Sequence, residues 1–265
     1  MWTNLVSVFS SKSIAQELPT ESKKFKGIDK AWLKIMERAA DTKNVIQCCT
    51  NDILKSSLPG LQEGLEVCQK KLENFLETKR SFFPRFYFIS NADLLSILSM
   101  GSDPNAVQDD FEKLFDAIHR VSFDEVNRKL IVDIIMLMGG VEEKVVLVEP
   151  VLAEGNIEEW LGKLEKEMQR SVRSVCTAGA QDCFSMQLYE FIDKYQSQIA
   201  LLGVQIIWAD KVNECLEKSQ KEKPAELTKK AKEFQKIKDD LVELCLTNLN
   251  KLVRCKVETL VTIHV

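Results

Sequence analysis

The stretch Phe82-Phe83-Pro84-Arg85-Phe86-Tyr87-Phe88-Ile89-Ser90 constrains this chain more than any other. It holds five of the chain's twenty Phe, Trp and Tyr residues. A long helical pattern runs into it, and a second one leaves it. Pro84 stops the first helix, because proline has no N–H to donate and its ring clashes with the preceding turn. Aromatic residues favour a pleated path. We therefore read Arg85 to Ile89 as a short strand, with Phe86 and Phe88 on one face and Arg85, Tyr87 and Ile89 on the other. Ser90-Asn91-Ala92-Asp93 then has the form of a helix cap, a hydroxyl followed three residues later by an acid.

Upstream, Met1 to Phe9 reads as one helix with Trp2, Leu5 and Phe9 near one face, and Leu18-Pro19 breaks it. Lys30 to Arg38 carries Trp32, Leu33, Ile35 and Met36 and reads as a second amphipathic helix, followed by a turn at Cys48 to Asp52. From Leu58 the apolar residues fall at Leu58, Leu61, Leu65, Cys68, Leu72 and Phe75, in alternating steps of three and four. That spacing puts them on one stripe of a helix that continues to Arg80.

Downstream, Asp103-Pro104 has proline at a helix start, and Val107, Phe111, Leu114, Phe115 and Ile118 form its buried face. The period then changes. Leu130 to Met138 and Lys144 to Val148 are apolar, β-branched runs separated by Gly139-Gly140-Val141-Glu142-Glu143, which predicts a hairpin with a Gly-rich turn. With residues 85–89 this gives a small sheet of at least three strands, and Pro150 ends the last of them. Asn156 caps the next helix, with Glu158 and Glu159 in its first turn and Trp160, Leu161, Leu164 and Met168 on its buried side. Helices over Ser185–Tyr195 and Ile199–Leu216 follow. Pro224 opens a final long helix with a stripe from Leu227 through Phe234, Leu241 and Leu249 to Leu252. The expectation is a mainly α chain with a small embedded sheet (about residues 85–89, 130–138 and 144–148) and a soft boundary near Glu149 to Asn156. This divides it into parts 1–149 and 150–265.

Composition closes several functional classes. The 36 basic and 40 acidic residues nearly cancel, leaving −4, so nothing in bulk charge favours nucleic acid. No apolar run has the length of a membrane span, and no signal peptide is expected at the N-terminus. The eight cysteines form no CxxC pair, so reduced thiols are the default. A phosphate loop requires closely spaced glycines followed by Lys and Ser or Thr. The nearest run, Gly155 to Gly162-Lys163, has six residues between its glycines, and Leu164 follows the lysine. Two histidines, His119 and His264, do not make a His-based metal site, and Cys176 and Cys183 have no nearby His. Glu142-Glu143 and Glu158-Glu159 are adjacent pairs that read as solvated faces or helix-start charges, not as a catalytic dyad. Neither catalytic residues, nor a cofactor, nor a metal is expected. Lysines 218, 221, 223, 229, 230, 232, 236 and 238 outnumber the acids around them and read as a solvated helix face, with a docking stripe for an acidic partner as the functional counterpart. Arg85, between aromatic rings, suits either a pair within its own domain or a contact with a neighbouring module.

Several blocks of the chain resemble the linker region of dynein heavy chains. These are Leu65 to Leu72, Phe75 to Arg80, Phe83 to Ser90 and Leu94 to Leu98. Gly155 to Leu161, Leu202 to Trp208 and the terminal Lys256 to Val265 match as well, and all occur in family order. Trp2-Thr3-Asn4-Leu5 and Gly27 to Trp32 are most similar to axonemal outer-arm chains. The resemblance implies an elongated helical linker that joins a tail to a ring of AAA+ modules, and bends and straightens with nucleotide state to deliver the power stroke. It implies partners in the AAA+ ring and tail of the same heavy chain, with microtubules reached only through the parent motor, and a place in the axoneme of a cilium or flagellum. It also implies that the chain ends before the first AAA+ module and is not itself an ATPase. Pro84, Arg85, Phe86, Tyr87, Phe88, Trp160 and Trp208 are the residues expected to carry structural or interaction roles. A freestanding helical adaptor is the rival reading.

Overall fold

In the computed structural model, residues 1–100, 103–138, 140–219 and 225–264 are described. Gly139, Lys221, Lys223, Pro224 and Val265 therefore lie outside the described residues, as do the side chains of Lys218, Leu227 and Lys230. Contacts divide the chain into two interleaved units, one of residues 1–115 with 153–162 and the other of residues 116–152 with 163–265.

The first unit opens with α1 (Trp2–Ser10), α2 (Lys12–Glu17) and α3 (Pro19–Thr42). Pro19 occupies the first turn of α3, where a missing N–H costs nothing. After α4 (Val45–Cys49), the 31-residue α5 (Asp52–Phe82) starts at Asn51, whose side chain accepts the Ile53 N–H. Leu5, Phe9, Ile14, Phe25 and Ile28 bury against Cys68 and Leu72 of α5, with Leu61, Leu65 and Phe75 partly buried beside them, so the stripe read from sequence is the core face except at Leu58, which is exposed. Gly64 lies against Ile28 of α3: a Cβ there would come within 2.8 Å of the Ile28 Cδ1. Of the apolar positions in the second half of α3, Trp32 and Ile35 are partly buried, but two are not. Leu33 and Met36 are 45% and 46% exposed, because α3 buries its earlier residues Ser22, Phe25 and Ile28 instead.

Residues 84–88 form a 3-10 turn, not the strand expected over 85–89. The physical reason is legible in the spacing. With three residues per turn, Phe83, Phe86 and Ile89 fall on one face, and all three are buried, whereas Tyr87 and Phe88 are exposed. Phe83 is extended, as the residue before a proline should be, and Pro84 fits the first position of a helical turn. The cap at Ser90 forms as read: its Oγ accepts the Asp93 N–H, and α6 (Asn91–Met100) follows. Pro104 begins a turn, not a helix. Only residues 108–110 (3-10) and α7 (Phe111–Phe115) are helical before Asp116 takes a left-handed conformation and ends the run.

In the second unit, Ile118, expected on the preceding helix, starts β1 (Ile118–Phe123), which is the sheet's third strand. With β2 (Leu130–Met138) and β3 (Val141–Leu152) it makes an antiparallel sheet in the order β1-β2-β3. Met138 pairs with Val141, so Glu142 and Glu143 are strand residues and not part of the turn. Gly140, at φ 75, supplies the conformation that a two-residue loop demands. Pro150 does not end β3. It sits on an edge strand where the register to β2 shifts, a place where a missing N–H is tolerated. The edge amides beside it, Val148 and Glu149, donate to Ser171 Oγ and Glu167 Oε1. Those two side chains belong to α8 (Ile157–Asp182), whose residues 157–162 count with the first unit and the remainder with the second.

Four more helices follow: α9 (Leu188–Lys194), α10 (Ser197–Ser219), α11 (Ala225–Leu246) and α12 (Lys251–His264). The single final helix expected through Leu252 is thus two. Asn250 Oδ1 accepts the Val253 N–H to start α12, while Arg254 donates to the Cys245 and Thr247 carbonyls left open where α11 stops. Ile192, Val204, Leu241, Val253, Val257 and Leu260 form one core and Cys183, Phe191, Tyr195, Ile199 and Ala200 another. All eight cysteines are free. Among the described residues no helix is long and apolar enough to cross a membrane.

Candidate functional site

The corner that follows α5 holds five of the seven residues singled out from sequence. Pro84 turns the chain. Phe86 is fully buried, with its ring edge-on to Phe83 at 5.0 Å, and Phe83 in turn lies 6.2 Å from Phe115. Arg85 is half-buried; it donates from Nη1 to the Leu114 carbonyl at 3.2 Å and stacks over Phe115 at 5.0 Å. An arginine thus satisfies an open carbonyl at the end of α7. Tyr87 and Phe88 are 58% and 76% exposed, and Phe82 beside them is also exposed, so three of the segment's five aromatic residues face outward. The Tyr87 hydroxyl donates to Glu77 Oε2 at 3.2 Å.

Arg80 was not singled out, yet it holds the corner together. Its guanidinium donates to the Phe86 and Ile89 carbonyls, to Asn91 Oδ1 at 2.7 Å and to Glu77 Oε1 at 2.9 Å, and lies over the Tyr87 ring. One planar fork thereby ties the end of α5, the 3-10 turn and the first residue of α6. Next to it, Asp93 accepts from Ser90 Oγ at 2.6 Å and from Lys113 at 3.0 Å. Hydrogen bonds from Ser90 and Lys113 hold the Asp93 carboxyl below the usual carboxylate range.

Two buried lysines also went unread. Lys79 continues the apolar stripe of α5 one step beyond Leu72 and Leu76. Its ammonium lies 2.6 Å from Glu158 Oε1 and 3.3 Å from Glu17 Oε1. Lys256 takes the corresponding place on α12 between Val253 and Val257. It donates to the Ile192 and Tyr195 carbonyls, at 3.2 and 2.6 Å, and lies 3.6 Å from Glu143 Oε1. Glu143 Oε1 also accepts from the Ser197 backbone N–H and hydroxyl, both at 2.9 Å. Each adjacent acid pair is therefore split: Glu143 and Glu158 are buried and engaged by lysine, while Glu142 and Glu159 are exposed. Glu158 and Glu159 stand in the first turn of α8, as helix-start charges should, whereas the reading as a solvated face fails for Glu143, which is buried in β3. The detectable signal was a lysine standing at an apolar-stripe position.

Trp160 is fully buried in the first unit, and its indole N–H has no hydrogen-bond partner among the described residues. Trp208 is in the second unit, 47% exposed and tilted against Phe234 at 6.1 Å. The structure does not gather the seven residues into one site. It puts six of them in the first unit and Trp208 in the second.

Nothing in these groups resembles a reaction centre. Gly155 is at φ 83 before a helix and Gly162 is within that helix, so the two glycines do not flank one loop. Among the described residues no group of three or more His, Cys, Asp or Glu side chains is arranged to hold a metal ion. The arrangement can brace helices against one another and present aromatic surface.

Comparison with known proteins gives a consistent result. A family model for the dynein heavy chain, N-terminal region 2, matches residues 1–179. Over its whole length the chain is 38% identical to dynein axonemal heavy chain 5 of Rattus norvegicus and 37% identical to dynein axonemal heavy chain 8 of Homo sapiens. It is likewise 34% identical to the dynein gamma chain, flagellar outer arm, of Chlamydomonas reinhardtii. The chain spans only 8%, 6% and 6% of the length of those relatives.

Proposed function

Because the chain belongs to the dynein heavy chain N-terminal region 2 family, we propose that it is the mechanical linker element of an axonemal dynein motor. It couples nucleotide-driven changes in the AAA+ ring to movement of the tail. The observation that carries this reading is the full-length similarity to axonemal heavy chains, outer-arm chain included. Physics supports it. A 31-residue helix such as α5 carries its backbone hydrogen bonds internally and resists extension. Its end is clamped by Arg80, and its stripe by buried Lys79.

On this reading the partners are the AAA+ ring and the tail of the same heavy chain, and microtubules are engaged only through the parent motor. The place of action is the axoneme of a cilium or flagellum. The chain turns over no nucleotide itself and takes no cofactor. Parts 1–149 and 150–265 are the N-terminal and C-terminal portions of the linker.

Two measurements test the proposal. Deleting the segment from the parent motor should leave basal ATP turnover and abolish microtubule gliding. Undiminished gliding would overturn the lever. Calorimetry of the isolated chain should detect no ATP binding, and saturable binding at micromolar nucleotide would overturn the claim that it takes no nucleotide.

A further inference from the structure

The second unit has an apolar groove that the lever reading does not use. It lies along α10 and α11, encloses about 650 Å³, and has Phe191, Val204 and Leu241 on its floor. Trp208 and Phe234 stand on its two walls, and Phe184 at its margin is 57% exposed. Helix α10 explains why the groove is open. From Ile199 to Trp208 its apolar residues point in all directions, the pattern of a helix buried on every side. Ala200 and Val204 do pack inward, but Ile207 is only partly buried and Trp208 is 47% exposed. The apolar face of these two residues is left without a cover.

Charge says what would cover it. Lys211 lies three residues beyond Trp208 on one wall, and Lys238 lies four beyond Phe234 on the other. Both are half-buried, and neither is hydrogen-bonded or ion-paired among the described residues. The lining acid, Asp240, is exposed. A partly desolvated ammonium without a counter-ion gains from a carboxylate. The groove's residues run from Ala231 to Leu241 along α11, a span of ~15 Å at ~1.5 Å per residue, or about three helical turns.

We propose that this groove is the docking site for a short amphipathic helix that sets apolar anchors against Trp208, Phe234 and Phe184 and acidic side chains against Lys211 and Lys238. The mode is a helix laid in a groove between two helices, with aromatic anchors supplying affinity and the lysine pair supplying selection.

The test uses the full 265-residue chain and three labelled synthetic helices of about four turns. One has a leucine face flanked by glutamates, one the same face flanked by lysines, and one the acidic composition shuffled so that no single face is apolar. Fluorescence polarisation should give the acidic amphipathic helix at least a tenfold lower Kd than either of the others, about 1.4 kcal/mol. Trp208→Ala with Phe184→Ala should weaken it by about tenfold or more. Lys211→Glu with Lys238→Glu should reverse the preference in favour of the basic helix. All four substituted side chains are at least partly exposed, and circular dichroism with thermal melting verifies that the variants fold.

Equal binding of the acidic and basic helices, or no loss in the aromatic variant, overturns the proposal. So does preferential displacement of the helix by sodium laurate at equal concentration, which would assign the groove to a small anionic amphiphile. Sedimentation showing a dimer that the aromatic substitutions abolish would make the occupant a second copy, and is equally contrary.

Discussion

The Nζ of Lys79 and Oε1 of Glu158 lie 2.6 Å apart, although 79 residues separate them in sequence. Their side chains are only 10% and 6% exposed. The pair joins α5 to the first turn of α8 inside one unit, with Glu17 of α2 on the same ammonium. Such a pair adds less net stability than its Coulomb energy suggests, because both ions leave water. What it does enforce is register: only one alignment of α5 and α8 lets the two charges meet.

Breaking that pair from one side should therefore be costly. Lys79→Met alone, which strands the Glu158 carboxylate, is expected to destabilise the first unit by about 3–5 kcal/mol, the range for stranding a buried charge, and Glu158→Gln by less, because Glu17 still faces the ammonium. The double substitution Lys79→Met with Glu158→Leu should recover most of the loss. Urea melts of the four proteins measure this. Single losses below about 1 kcal/mol would mean that water reaches both ions.

The two rings of the corner that were assigned to one face should differ sharply. Phe86 is fully buried against Phe83, so Phe86→Ala should cost about 3–5 kcal/mol through lost transfer energy and a cavity. Phe88 is 76% exposed, and Phe88→Ala should stay within about 0.5 kcal/mol. Equal effects at both positions in a chemical melt would contradict the three-residue period of this turn.

That period shows how the sequence was partly legible. Long helices with a regular stripe, such as α5, were readable because the interval of three and four residues has one physical meaning. The stretch 82–90 was not, since Phe-x-x-Phe-x-x-Ile and an alternating aromatic strand occupy overlapping positions. Burial of Phe83 and Ile89 decides between them only after folding. Strand β1 was missed because its six residues adjoin an apolar helical run, and the left-handed Asp116 that parts them has no strong sequence mark. Of the interaction residues, Pro84 and Phe86 followed from local sterics. Lys79, Arg80 and Lys256 escaped because a charged residue reads as solvent-facing until its partner, dozens of residues away for both lysines, is in place.

Acid should weaken the cap of α6 in a defined direction. The Asp93 carboxyl is held low in the folded protein by Ser90 and Lys113. A depressed folded pKa contributes stability that is present above the unfolded value, about 4, and is lost as pH falls through the folded value. Asp93→Asn removes that titration. The substituted protein should melt below wild type at pH 7, and the gap should close as pH falls below about 4. A gap unchanged at low pH would show that the carboxylate is not held this way. Asp182, lowered by hydrogen bonds from Lys194 and Tyr195, should behave alike in the second unit.

The last prediction concerns force along α5. If the chain is a lever, a break in this helix should damage motion more than ATP use. Glu66 is exposed and off the buried stripe, and its carboxylate accepts a hydrogen bond from the neighbouring Gln62 at 3.0 Å. Proline there would remove one backbone hydrogen bond and clash with the preceding turn, at about 3 kcal/mol or more, without deleting a core side chain. The helix already accommodates Pro59, but that residue lies ahead of Gly64, the first buried position of α5. Position 66 lies between Gly64 and Cys68, where the helix is packed against α3. In the parent motor, Glu66→Pro is expected to leave basal turnover in place while gliding velocity falls severalfold. Circular dichroism and melting must first show the protein folded. Normal gliding by the folded variant would mean that α5 transmits no force. Parallel loss of turnover and gliding would instead mark the helix as a contact that controls the ring, and the lever account of this segment would fail.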